Sequence, residues 1–116
     1  MDALRQLWES TANFQKRFGL DERFNMDAQM RCVNEELAEF QSAAYQNWYM
    51  KIGKADMAKE ASDVIVTVLG VLMASGVTYE VLERFMNDTA LKNDAKTHDT
   101  HAINENGKVS RKQVSA

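Results

Sequence analysis

Residues 60–73 read EASDVIVTVLGVLM, so two acids three positions apart are followed by an almost uninterrupted apolar run. The uncharged stretch from Val64 to Tyr79 is shorter than the roughly 20 residues that a membrane-spanning helix needs. A helix that is apolar nearly all the way round is instead typical of a buried position in a protein core. We therefore predict a buried core helix over residues 56–75, which ends at Gly76.

The sequence on both sides of this segment is also helical in pattern. The 116 residues include no proline, and 45% of them are hydrophobic. Apolar residues recur mostly at spacings of three and four rather than in alternation. Three further helices are expected, over residues 2–18, 27–44 and 79–91. Four helices of this length predict an all-α, four-helix bundle-like domain over residues 1–92.

Two segments depart from the helical pattern. Residues 46–55 mix aromatic side chains, lysines and a glycine, and they predict a loop with binding capacity. Residues 93–116 lack hydrophobic periodicity and are expected to form a polar C-terminal tail. Within this tail the pair Asn106-Gly107 favours a two-residue type I′ hairpin turn. The chain therefore reads as one helical domain followed by a polar tail.

Charge and cysteine content narrow the possible functions. The net charge is -3, whereas binding to a nucleic-acid polymer through its phosphates needs clustered Lys and Arg. The single cysteine, Cys32, cannot form an intramolecular disulfide. The first residues carry early charges and lack the apolar stretch of a signal peptide. We expect a cytoplasmic protein that binds neither a nucleic-acid polymer nor a membrane.

Two pairs of acidic residues share one spacing on two predicted helices. Glu36 and Glu39 stand at i and i+3 of the second helix, and Glu60 and Asp63 repeat this spacing on the third. The second pair directly precedes the apolar run, where an ionised carboxylate needs a counter-charge or must become neutral. Acidic pairs on solvated helix faces are common, so the position of Glu60 and Asp63 carries the prediction of a bound cation.

The ligand types indicate which cation is expected. Four carboxylates without His or Cys suit a hard ion, Mg²⁺ or alternatively Mn²⁺, rather than Zn²⁺. The pattern also differs from carboxylate-bridged di-iron bundles, which place a Glu-x-x-His pair on each of two helices. Because Mg²⁺ usually takes its remaining ligands from water and substrate phosphates, the acidic pairs predict a phosphorylated substrate.

The ordered pattern Glu35-Glu36-x-x-Glu39 followed by Glu60-x-x-Asp63 resembles the signature of the MazG-like all-α nucleoside triphosphate pyrophosphohydrolase superfamily. That superfamily includes dimeric dUTPases, dCTP pyrophosphatases and phosphoribosyl-ATP pyrophosphohydrolases. The resemblance covers about residues 7–92. It extends to the aromatic segment around residues 13–20 and to the glycine break before the last helix.

The resemblance implies an activity and a set of roles. The implied reaction is hydrolysis of a nucleoside triphosphate between the α and β phosphorus, which gives the monophosphate and pyrophosphate. Glu35 would be a carboxylate that lies behind the ligands or orients the attacking water. The other four acids would be the Mg²⁺ ligands and, with Glu35, the catalytic set: Glu36, Glu39, Glu60 and Asp63.

Substrate-binding residues follow partly from the same resemblance. Lys92 matches a lysine that reaches the phosphates in relatives, whereas Thr89 stands where they carry asparagine, so Asn87 or Asn93 is a possible substitute. Gln15 stands where relatives often carry His, which bears on the choice of base. The sequence itself leaves further candidates open between substrate contact and packing or solvation: Phe14, Trp48, Lys51 and Lys54.

Three functions remain to be distinguished. The leading interpretation is a nucleotide-pool or house-cleaning enzyme that hydrolyses canonical or modified (deoxy)nucleoside triphosphates. The second is a phosphoribosyl-ATP pyrophosphohydrolase, and the third is a non-catalytic helical oligomer or interaction module. The resemblance also implies a homodimer or homotetramer, which agrees with the thin core that a chain of this length can build.

Overall fold

The computed structural model describes residues 2–22 and 24–113, and within them it confirms the all-α prediction for the main part of the chain. Four helices are followed by a two-stranded antiparallel sheet. In none of these helices is an apolar segment long enough to cross a membrane. The elements are α1 (Ala3–Arg17), α2 (Met26–Met50), α3 (Lys54–Ala74), α4 (Tyr79–Ala95), β1 (His101–Ile103) and β2 (Val109–Arg111).

The second helix is longer at both ends than the sequence predicted. Its N-cap is Asn25 rather than a residue two positions later, and the Asn25 side chain accepts a hydrogen bond from the backbone N–H of Ala28. At the other end α2 continues to Met50, so the predicted loop over residues 46–55 is reduced to residues 51–53. Trp48 therefore lies on α2, and Lys54 is the first residue of α3.

The short connection is closed by two left-handed residues. Lys51 has φ 58° and Gly53 has φ 83°. Glycine adopts this conformation freely, whereas a lysine there stores strain because its Cβ approaches the backbone. The connection fixes the offset of α3 against α2, and thereby the offset of their acidic residues.

The residues up to Tyr79 form one compact unit, in which α3 packs against both α1 and α2. Leu69 of α3 is 3% exposed, and Tyr79 is 5% exposed. The Tyr79 ring lies 5.8 Å from the ring of Trp8 and 4.7 Å from the guanidinium of Arg5, centroid distances that fit aromatic and cation–π contact. These contacts hold α1 against Tyr79, the first residue of α4 and the last of this unit.

The third helix is less buried than predicted. Its buried residues are Leu69 and Gly70, while Ile65 and Val68 are 44% and 41% exposed. An all-round apolar helix needs neighbours on every side, and the described part of one chain supplies α1 and α2. A substantial apolar surface of α3 therefore lies open in the single chain.

The second compact unit begins at Glu80 and contains most of α4 and the hairpin. Strand β1 pairs with β2 in the register His101↔Arg111 and Ile103↔Val109. The backbone N–H of Lys112 donates to the Thr100 carbonyl at 2.9 Å and extends the pairing. The segment that we expected to be a polar tail thus completes α4 and forms a hairpin.

The hairpin turn differs from the predicted two-residue type I′ turn. The Gly107 N–H donates to the Asn104 carbonyl at 2.9 Å, and Gly107 has φ 78°. A type I′ turn needs positive φ at both central residues, whereas Gly107 is the residue of this turn with positive φ. The Asn104 side chain accepts the N–H groups of Asn106 and Lys108. These two hydrogen bonds stabilise a loop that is longer than the predicted two-residue turn.

Candidate functional site

Three of the four predicted metal ligands meet where α2 and α3 pack together. Glu36 comes from α2, and Glu60 and Asp63 come from α3. One carboxylate oxygen from each residue can be chosen so that all three lie within 4.8 Å of one another. We call Glu36, Glu60 and Asp63 the acidic cluster.

The acidic cluster is half-buried and short of hydrogen-bond donors. The Oε2 atoms of Glu36 and Glu60 are buried and have no hydrogen-bond partner. The pKa of Glu60 is raised above its ordinary value, first because burial disfavours the charged form and next because the negative charge of Glu39 is close. The positive charge of Lys59 partly offsets this rise in pKa, and the negative charge of Asp63 adds a smaller effect in the raising direction.

These residues fit a hard divalent cation. Buried, unpartnered carboxylate oxygens cost free energy unless a donor or a cation satisfies them. The ligand atoms are oxygens, which Mg²⁺ and Mn²⁺ prefer. Exposed acidic groups often occur without an ion, but here two of the oxygens are buried. The acidic cluster therefore has both the ligand type and the unmet need that a cation would satisfy.

The two remaining predicted acids lie outside this three-oxygen group. Glu39 is exposed but close enough to Glu60 to raise its pKa. Glu35 is also exposed on α2. Glu39 as a ligand and Glu35 as a water-orienting group therefore stay predictions, and both carboxylates are accessible to solvent.

A cleft of about 380 Å³ lies beside the acidic cluster between α2 and α3. Its lining includes three polar residues that the sequence analysis missed, namely Ser42, Gln46 and Asp56. A signal was present, because Glu39, Ser42 and Gln46 follow helical spacing along one face of α2. The full lining is Glu39, Ser42, Ala43, Gln46, Asp56 and Glu60.

The acidic cluster lies within a part of the chain that matches a known protein family. The sequence model of the phosphoribosyl-ATP pyrophosphohydrolase family matches residues 3–90, which is most of the chain. The chain belongs to the phosphoribosyl-ATP pyrophosphohydrolase family. This family is part of the MazG-like all-α superfamily, so the resemblance inferred from the acidic pattern is confirmed. No curated protein and no solved structure matches the chain.

Membership of the phosphoribosyl-ATP pyrophosphohydrolase family supports pyrophosphohydrolase chemistry for this protein. It is also a family that usually uses a divalent metal, in agreement with the acidic cluster. The matched range ends at residue 90 and therefore includes α1, α2, α3 and most of α4. The hairpin lies beyond it.

A second cleft, of about 300 Å³, lies at the end of α2 in this family member. It is lined by Asn47, Trp48, Lys51 and Lys54. The Lys51 ammonium lies 4.6 Å from the centroid of the Trp48 ring, which is 67% exposed. The three predicted residues Trp48, Lys51 and Lys54 are thus brought together, with an aromatic face beside two positive charges.

The two predicted contacts on α1 have different environments. Phe14 is 48% exposed, and its ring lies 4.9 Å from the ring of Phe18. Gln15 is only 5% exposed, and its Nε2 donates to the carbonyl of Gly70 on α3 at 2.9 Å. A Cβ at Gly70 would lie 2.9 Å from that same nitrogen. The Gln15 amide therefore already holds α1 against α3, and its burial leaves little of it accessible to a base.

Replacement of Gln15 distinguishes a structural role of its amide from a role in binding the base. We expect Gln15→Ala to lower the free energy of unfolding by about 1–3 kcal/mol, because a buried hydrogen bond and packed atoms are lost. Urea denaturation of the wild type and the variant measures this difference. Asn13→Ala, an exposed position on the same helix, is the control. Unchanged stability with a raised KM would instead assign the amide to substrate binding.

The last two predicted residues, Asn87 and Lys92, lie on the part of α4 that belongs to the second unit. Both are exposed. Lys92 lines a cleft formed with residues of the hairpin segment. Thr89, which stands where relatives carry asparagine, donates its hydroxyl to the Phe85 carbonyl at 2.8 Å. That hydroxyl is engaged within α4, and a phosphate contact by Asn87 or Lys92 stays a prediction.

Proposed function

We propose that this protein hydrolyses nucleoside triphosphates between the α and β phosphorus in the presence of Mg²⁺, releasing the monophosphate and pyrophosphate. The observation that carries the proposal is the pair of buried, unpartnered oxygens of Glu36 and Glu60 beside Asp63. Family membership supplies the reaction class. A house-cleaning role in the cytosol, where such nucleotides are used, is the setting that this proposal implies.

The acidic cluster and the neighbouring carboxylates would have separate roles in the reaction, namely metal binding and activation of water. Glu36, Glu60 and Asp63 would hold the cation, with Glu39 adjoining them. The bound cation supplies positive charge that neutralises phosphate oxygens and acidifies the attacking water. Glu35 and Glu39 are exposed carboxylates available to orient that water and accept its proton.

The cleft at the end of α2 fits the remainder of a nucleotide. An exposed indole offers a face on which a base can stack, and Trp48 has that exposure. Lys51 and Lys54 bring two positive charges to the same cleft, where anionic oxygens of a phosphate chain are favoured. The strained φ of Lys51 supports this role, since strained residues concentrate at functional sites.

Phosphoribosyl-ATP is the second candidate substrate, and the family match favours it. It would undergo the same bond cleavage, so the acidic cluster does not discriminate between the two. Incubation of the pure protein with canonical and modified nucleoside triphosphates and with phosphoribosyl-ATP, each with Mg²⁺ or Mn²⁺, separates them by the rates of pyrophosphate release. Absence of turnover on every substrate with both metals would leave a non-catalytic helical oligomer.

Self-association is also part of the proposal. The single chain leaves large apolar side chains of all three helices in its first unit exposed, among them Phe14, Met30, Leu37, Ile65 and Val68. Exposed apolar area of this extent is typical of a protein interface. We therefore propose that a homodimer or homotetramer forms over this surface.

Sedimentation velocity tests the association. The wild type is expected to sediment as a dimer or tetramer, and Val68→Glu is expected to shift it towards the monomer, because a charge on a desolvated apolar face is unfavourable. Val109→Glu, at an exposed position of β2 in the other unit, is the matched control. A monomeric wild type at micromolar concentration would refute the proposal.

A further inference from the structure

The C-terminal unit contains a second concave surface, of quite different charge from the acidic cluster. A cleft of about 400 Å³ lies between the end of α4 and the hairpin. It is lined by Lys92, Ala95, Lys96, Thr100, His101 and Arg111. We call it the basic cleft. None of the acids of this unit is among its lining residues, although several lie nearby in sequence.

Three positively charged side chains of the basic cleft form no ion pair with a described residue. Among the described residues, no carboxylate oxygen lies within 4.0 Å of the charged nitrogens of Lys92, Lys96 or Arg111. Like charges that share a concavity repel one another and favour an anion between them. The cleft therefore concentrates solvent-accessible positive charge on a concave surface, which favours an anionic ligand there.

Helix stabilisation does not account for all three cations. Lys92 lies in the last turn of α4, where a positive charge is favourable next to the free carbonyl groups. Arg111 comes from β2 instead and is brought to the cleft by the pairing with His101. The His101 ring is itself held by a 2.7 Å hydrogen bond between its Nδ1 and the Thr100 hydroxyl. The hairpin thus adds ordered polar groups to those of the helix.

We propose that the basic cleft binds the phosphate groups of a small phosphorylated ligand. Lys and Arg are the side chains that commonly bind phosphate oxygens. The lining holds no aromatic ring other than His101, whereas single-stranded nucleic acid is usually bound by aromatic side chains that stack on its bases. The concave shape and the absence of a stacking surface favour a compact phosphate ligand over a nucleic-acid polymer.

Inorganic tripolyphosphate is a suitable probe, because it carries phosphate charge without base or sugar. Binding is measured by isothermal titration calorimetry with full-length protein in metal-free buffer, so that the acidic cluster cannot attract the probe through a cation. The proposal does not depend on hydrolytic activity. Wild-type protein is expected to bind tripolyphosphate, and Lys96→Gln with Arg111→Gln is expected to weaken binding by about a hundredfold, or about tenfold for each cation.

The control changes the net charge equally at other positions of the same segment. Lys108→Gln with Lys112→Gln removes two positive charges that do not line the cleft, and it is expected to weaken binding less than about threefold through long-range charge alone. Arg111→Lys, which keeps the charge in the hairpin, is expected to retain most of the binding. Equal weakening by both double variants, or no binding to the wild type at millimolar probe, would overturn the proposal.

Kinetics of the same variants identify the source of the phosphate. A raised KM for a nucleoside triphosphate with unchanged kcat in Lys96→Gln would show that the cleft takes phosphates of the substrate. An unchanged KM together with lost tripolyphosphate binding would show that it takes a separate phosphorylated ligand. Both results support the basic cleft as a phosphate site.

Discussion

Glu60→Gln and Asp63→Asn are each expected to lower kcat/KM by about a thousandfold or more. Each substitution removes one charged ligand from the three-residue acidic cluster while preserving side-chain volume. Charge stabilisation by a bound metal contributes several kcal/mol to such reactions, and each 1.36 kcal/mol corresponds to about tenfold in rate. Pyrophosphate release under saturating Mg²⁺ measures the loss.

The control for this experiment is a carboxylate remote from the cluster. Glu22→Gln, at an exposed position after α1, changes the net charge equally and is expected to leave turnover unchanged. Turnover near the wild-type rate in both Glu60→Gln and Asp63→Asn would refute the assignment of the acidic cluster. A loss of turnover in Asp63→Asn alone would show that the Glu60 carboxylate is not a required metal ligand.

The same Glu60→Gln variant is expected to be more heat-stable than the wild type at pH 7 without metal. Ionised Glu60 is unfavourable in the folded protein because of burial and the nearby charges of Glu39 and Asp63. Neutral glutamine removes that repulsion. Differential scanning calorimetry in a chelator measures the two melting temperatures, with Glu22→Gln again as the control.

The difference in stability between Glu60→Gln and the wild type is expected to increase with pH. The folded pKa of Glu60 is raised above the ordinary value of 4.5, so the folded state binds the proton more tightly than the unfolded state. Wild-type stability attributable to Glu60 is therefore greatest below the unfolded pKa and is lost as the pH rises through the folded pKa. The advantage of Glu60→Gln should widen upwards from about pH 4.5, and an advantage that narrows with rising pH would contradict this.

In the presence of metal, the wild type should become more heat-stable than Glu60→Gln. A ligand at about a hundred times its dissociation constant stabilises the folded state by about 2.7 kcal/mol, which corresponds to roughly 10 °C in a chain of this size. We expect that increase for the wild type on adding Mg²⁺ or Mn²⁺ and little change for Glu60→Gln. An equal shift in both proteins would place the stabilising ion elsewhere.

The helices were predictable from the sequence, whereas the boundary between α2 and α3 was not. Apolar periodicity is a local property, and it located all four helices. The end of α2 depends on Lys51 adopting a left-handed conformation, which is unusual for a residue with a side chain. The glycine of the predicted loop, Gly53, lies two residues later and is the N-cap of α3.

The position of the hairpin turn was predictable from the sequence, but its type was not. Asn106-Gly107 correctly indicated a turn, because glycine tolerates positive φ. The turn type was decided by Asn104, whose side chain accepts two backbone N–H groups. Such a hydrogen bond depends on how the chain returns along β2, so composition at two positions could not specify it.

The sequence determined which acids of residues 60–73 and of α2 are candidate ligands, since helical spacing puts each pair on one face of its helix. The tertiary structure decided which of them meet: Glu36 joins Glu60 and Asp63, while Glu39 lies beside them. It also decided that Gln15 is buried against Gly70 and that Arg111 faces the same cleft as Lys92. These facts depend on the offset between elements distant in sequence, which packing and hydrogen bonds set and local periodicity does not encode.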